Sequence, residues 1–130
     1  MRTPELQPIE AIKTKLANEE RQRIRRGILS QLILARQNRH FHGTYGVSEN
    51  NRNAGFLPAF QDLSSGSWII SQFADGRPAP MHLLDGLPQE WICRRDQSGR
   101  ALSTREGIVA GFVRDGIFYT REAAVQAAAH

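Results

Sequence analysis

Ile108-Val109-Ala110-Gly111-Phe112-Val113-Arg114-Asp115-Gly116-Ile117-Phe118-Tyr119 is the stretch on which the fold turns. Apolar residues alternate on both sides of Asp115-Gly116. An Asp-Gly pair between two such runs predicts a tight hairpin turn in which both central residues take positive φ. Upstream, Trp91-Ile92-Cys93-Arg94 leads through Asp96-Gln97-Ser98-Gly99 to Ala101-Leu102-Ser103. Further upstream, Phe56-Leu57-Pro58-Ala59-Phe60-Gln61 and Ser67-Trp68-Ile69-Ile70-Ser71-Gln72 flank Asp62-Leu63-Ser64-Ser65-Gly66, another hairpin signature. Pro58 has no N–H to give a ladder, so its strand is expected at a sheet edge. Downstream, Thr120 is placed to cap an Ala-rich helix over 121–129, with Glu122 complementing its dipole.

The N-terminal part has a different period. Pro8 suits a first helical turn, and from Ile9 to Asn38 only Gly27 interrupts good helix formers. Ile9, Ile12 and Leu16 share one helical face, and Ile24, Ile28 and Leu32 form a second stripe. At 100° per residue the second stripe is turned about 80° from the first. Asn18-Glu19-Glu20-Arg21-Gln22-Arg23 between them is wholly polar. The sequence therefore predicts either a short helix and a longer one from about residue 19, or one long helix that changes partner midway.

Three segments are harder to assign. Residues 38–47 alternate like a glycine-weakened strand, and 48–53 read as a polar loop. Residues 74–90 hold three of the six prolines, yet Met81, Leu83, Leu84 and Leu87 call for burial. A long loop packed onto the sheet, with one helical turn near Pro88, reconciles the two demands. The resulting expectation is an α+β fold: one or two N-terminal helices packed on a small antiparallel sheet of hairpins, and a short C-terminal helix. The organisation is a single domain over 1–130, helical over 8–38, β-rich over 40–120, and helical again over 121–129.

Composition narrows the function classes. The chain has 130 residues, 40% apolar and 23% charged, which suits a folded domain and not a disordered or collagenous chain. No apolar run approaches the roughly 20 residues of a membrane span, and no secretory signal is expected at the N-terminus. Cys93 is the sole cysteine, so no intrachain disulfide can form, and a cytoplasmic location is expected. The net charge of +4 comes from the N-terminal part, where residues 1–53 carry ten Lys/Arg and five Asp/Glu. That imbalance admits an acidic or nucleic-acid partner, although it is modest for a dedicated nucleic-acid binder.

The candidate chemistry is sparse. His40 and His42, alternating in a strand, would point to one face and could share a metal. His82, Asp85 or Glu90 would then have to supply the third ligand. Cys93 beside Arg94 and Arg95 has an electropositive neighbourhood that favours thiolate, but its surroundings read as an ordinary strand. Arg21, Arg23, Arg25 and Arg26 ring the helix axis, with Arg21 and Arg25 on one side as candidate phosphate contacts. Asp75, Arg77, His82, Asp85 and Glu90 place acid, base and cation in one loop, a mixture that any exposed loop can show. Phosphate-binding glycine loops, nucleophile elbows, HExxH and CxxC are absent from the sequence.

The leading expectation is a non-enzymatic protein-interaction module with no cofactor, which binds a protein partner or a second copy of itself as a homodimer through the surplus stripe of Ile9, Ile12 and Leu16. The alternatives are a nucleic-acid-binding accessory protein that uses the basic N-terminal helix, and a small metal-dependent or ligand-binding enzyme built on His40 and His42.

Overall fold

The computed structural model describes residues 27–128. Helix α1 spans Gln31–His40 and a single-turn α2 spans Ser48–Asn51, followed by a 3-10 turn over Arg52–Ala54. Strands β1 (Leu57–Asp62) and β2 (Trp68–Ile70) come next. A second 3-10 turn at Gln89–Trp91 leads into β3 (Ile92–Arg95), β4 (Ala101–Thr104), β5 (Ile108–Arg114) and β6 (Ile117–Thr120). Helix α3 (Arg121–Ala128) closes the described chain.

The strands divide into two antiparallel sheets. The larger runs β2-β1-β5-β6, and the smaller pairs β3 with β4. The Asp115-Gly116 turn forms as its sequence dictates, with φ of 53° and 77°. Thr120 caps α3, its hydroxyl oxygen accepting from Ala123 N–H at 3.0 Å. One sheet face packs on α1: Ile33 and Leu34 meet Phe60, Ile108 and Ala110 in a core completed by Leu84, Leu87 and Trp91. The long 74–90 connection is thus pressed onto the sheet through its leucines, with Met81 left half exposed.

Four expectations need correction. The strand carrying Pro58 is interior, between β2 and β5. Pro58 is tolerated because its carbonyl accepts from Ser71 N–H at 2.8 Å. A strand residue's N–H and C=O point to the same side, so the missing donor also faces β2, just past the end of that ladder, and β5 loses nothing. Residues 38–47 form no strand: α1 runs through His40, and a turn follows in which Thr44 Oγ1 donates to Phe41 O at 2.6 Å. The 48–53 segment is helical, held by Asn50 and Asn51 amides donating to Thr44 O and Tyr45 O at 2.9 and 2.8 Å. Finally, residues 27–30 are not helical as the Ile24–Ile28–Leu32 stripe implied. Gly27 has φ of 69°, and Ser30 caps α1 by accepting from Ile33 N–H at 3.2 Å. Leu32 consequently points into solvent.

Candidate functional site

The first cavity is a groove of about 590 Å³ beside α1. Its formation follows from unequal strand lengths. β5 pairs with β1 from Ile108 to Val113 but with β6 only from Gly111 onward, so Ile108–Ala110 leave β6 behind. The chain from Gly27 to Leu29 lies along this open part. Gly27 O accepts from Ile108 N–H at 2.9 Å, and Leu29 O accepts from Thr104 N–H at 2.9 Å. Leu29 N–H in turn donates to Thr104 Oγ1 at 2.9 Å. Ile28, Leu29, Ile33, Phe41 and Val109 give the groove apolar walls, while Arg36, Gln37, His40, Arg121 and Glu122 supply its polar groups. The volume falls within the range of roughly 300–1,000 Å³ usual for ligand sites.

The second cavity, of about 510 Å³, opens on the other side of α1. Arg39 and His42 border it with Ser48, Glu49 and Arg52, and Pro80, Met81 and His82 complete the wall. Arg52 reaches across the mouth, its Nη2 donating to Pro80 O at 3.4 Å.

Between the two cavities lies a buried polar pair. Arg121 borders the groove, His82 borders the second cavity, and Arg121 Nη2 is 3.3 Å from His82 Nδ1. His82 Nε2 is 2.7 Å from Gly111 O, and a carbonyl can only accept, so Nε2 carries the proton and Nδ1 accepts from the guanidinium. The ring stands edge-on between Phe60 and Phe112, with centroids at 5.3 and 5.2 Å. Burial first, and the Arg121 charge second, lower the His82 pKa to about 3. His82 is therefore neutral at pH 7.

Ser71 positions this histidine. The fully buried hydroxyl donates to Met81 O at 2.7 Å and accepts from Leu83 N–H at 2.8 Å, gripping the residues on either side of His82. Ser71 itself is fixed by its N–H donating to Pro58 O at 2.8 Å. The proline-rich connection can then present one side chain at a defined point without belonging to a helix or strand.

Arg121 is 3% exposed. Its Nη1 donates to Gly46 O at 2.8 Å and its Nε to Gln37 Oε1 at 3.3 Å. These acceptors and His82 Nδ1 are all neutral, and burial lowers the guanidinium pKa to about 10, with Glu122 opposing the shift. Its hydrogen bonds thus go to neutral acceptors, while the Glu122 carboxylate, also on the groove, acts on its charge through space.

The residues singled out from sequence are dispersed. His40 borders the groove and His42 the second cavity, and the strand that would have set them on one face does not form. His82 is occupied by Gly111 and Arg121. Among the described residues no group of three or more His, Cys, Asp or Glu is arranged to hold a metal. Asp85 Oδ1 accepts from Ala101 N–H at 2.8 Å, a structural role. Cys93 is exposed on the small sheet and not a buried strand residue. Arg21, Arg25, Ile9, Ile12 and Leu16 lie outside the described residues.

Sequence reasoning passed over Arg121, Gln37 and Ser71. Arg121 read only as the first residue of the C-terminal helix, and nothing local marks a helical arginine whose partners lie 39 to 84 residues away. Among the described residues no helix is long and apolar enough to cross a membrane. Comparison of the chain with protein-family models, with curated proteins and with solved structures returned no match.

Proposed function

We propose that this protein is a non-enzymatic interaction module that self-associates, its groove receiving the N-terminal stripe of a second copy. The observation that carries this reading is the groove itself: apolar walls bordered by a buried cation, Arg121, whose hydrogen bonds go to neutral acceptors. Ile9, Ile12 and Leu16 supply an apolar stripe of the kind that helix-in-groove recognition uses. At about 100° per residue, Glu20 falls on the same side, so the stripe ends in a carboxylate that complements Arg121.

The second copy is favoured over the chain's own segment by where the chain enters. Gly27 already stands on the groove wall, and Leu16 is eleven residues upstream of it. Reciprocal exchange between two copies gives a closed two-fold dimer. In a reducing cytoplasm the exposed Cys93 thiol stays free and takes no part.

Sedimentation equilibrium tests the reading. The wild-type chain is expected to be dimeric at micromolar concentration, and Leu16→Asp to be a folded monomer. A monomeric wild type, or a Leu16→Asp variant that still dimerises, would refute it.

A further inference from the structure

We propose that the second cavity binds a small organic phosphate, held by Arg39 and Arg52. Three separate parts of the chain converge there: the last turn of α1, the α2 segment and the Pro80–His82 wall. The Arg39 side chain makes no hydrogen bond or ion pair among the described residues. Arg52 spends one long hydrogen bond on Pro80 O, at 3.4 Å, which holds its guanidinium across the mouth. Glu49 is the only carboxylate bordering the cavity, and it bridges to neither arginine among the described residues. The positive charge of the two guanidinium groups is thus not consumed by a carboxylate among the described residues.

The class of anion follows from the approach of the two cations. Arg39 comes from the last turn of α1 and Arg52 from the 3-10 turn after α2, so two separate elements each bring a guanidinium to the cavity. A planar carboxylate is satisfied by a single fork, whereas the tetrahedral oxygens of a phosphate accept from two. His42 and the Ser48 hydroxyl add donors on the same rim. The opposite wall is apolar: Pro80, the half-exposed Met81, and the ring of His82, whose two nitrogens are already engaged. That surface suits the organic body of a phosphate ester, with the phosphate at the arginines.

Isothermal titration of the full chain at low ionic strength tests this, using phenyl phosphate, inorganic phosphate and benzoate as probes. Phenyl phosphate is expected to bind, inorganic phosphate more weakly, and benzoate not at all. Arg39→Gln and Arg52→Gln, both at exposed positions, are each expected to weaken phenyl phosphate at least about tenfold while leaving the thermal midpoint unchanged. Met81→Ser should remove the advantage of the ester over inorganic phosphate. Absence of phenyl phosphate binding at about 5 mM would overturn the proposal, as would an affinity untouched by both arginine substitutions. Equal binding of benzoate would overturn the phosphate assignment. Binding of an RNA oligonucleotide through the same arginines, with phenyl phosphate silent, would replace it with a nucleic-acid surface. Oligomeric state has no bearing on any of these outcomes.

Discussion

Arg121 Nη2 stands 3.3 Å from His82 Nδ1, and this contact joins the two cavities on either side of α1. Neither partner forms an ion pair with a carboxylate among the described residues. The histidine keeps its proton on Nε2 for Gly111 O, and the arginine spreads its donors over three neutral acceptors. A pair of this kind is stable only while the imidazole stays neutral, because a protonated ring would face the guanidinium as a like charge.

Acid should therefore destabilise the fold in a defined window. The His82 pKa is lowered from 6.5 in the unfolded chain to about 3 in the fold. Between those values the unfolded state binds the extra proton, so stability falls as pH drops from 6.5 towards 3, by at most about 1.4 kcal/mol per pH unit from this group. Above pH 6.5 the contribution is constant. Asp62, whose carboxylate is held below its usual range by Arg105 and then by Ser64, loses its stabilisation only below the ordinary Asp value of 3.8. Urea unfolding from pH 7 to 4 should show the slope in the wild type and a flattened profile in His82→Gln. An identical slope in the variant would remove His82 as its source.

Replacing Arg121 should be costly although it forms no ion pair with a carboxylate among the described residues. Arg121→Met leaves Gly46 O, Gln37 Oε1 and His82 Nδ1 without their donor in the interior. Unsatisfied buried acceptors cost about 1–3 kcal/mol each, with partial relaxation, so a loss of roughly 3 kcal/mol is expected in urea unfolding. A loss below about 1 kcal/mol would mean that water replaces the guanidinium without penalty.

Gly111 is required by a close approach. A Cβ there would run into Tyr119 O and the Phe118 ring, on the strand bonded to β5. Gly111→Ala must push β6 away or shift the carbonyl that His82 Nε2 binds. A destabilisation of roughly 1–3 kcal/mol is expected, accompanied by a displaced His82 ring resonance in NMR spectra. An unchanged ring environment would show that the strand pair moves as a unit.

Much of the sheet was legible because its signals are local. Asp115-Gly116 sets a turn by its own backbone preferences, and Thr120 caps α3 within three residues. The errors arose where distant contacts decide. His40 and His42 alternate with Phe41 as a strand would, yet Ser30 starts a helix that runs through His40, and Arg121 then holds the turn at Gly46. Pro58 reads as an edge residue until Ser71 is known to accept the role of neighbour on the β2 side. The candidate site was almost illegible for the same reason. Its centre is built from Gln37, Gly46, His82, Gly111 and Arg121, residues that share no spacing, with His82 held in place by Ser71 through the residues on either side of it.

Self-association through the groove is tested most directly by placing a photo-crosslinking residue at Val109, on the groove wall, in an equimolar mixture of isotopically heavy and light chains. The exchange model predicts crosslinked peptides that join Val109 of one isotopic form to the Ile9–Leu16 region of the other. Crosslinks to that region confined to chains of a single isotopic form, or none to it at all, would contradict it.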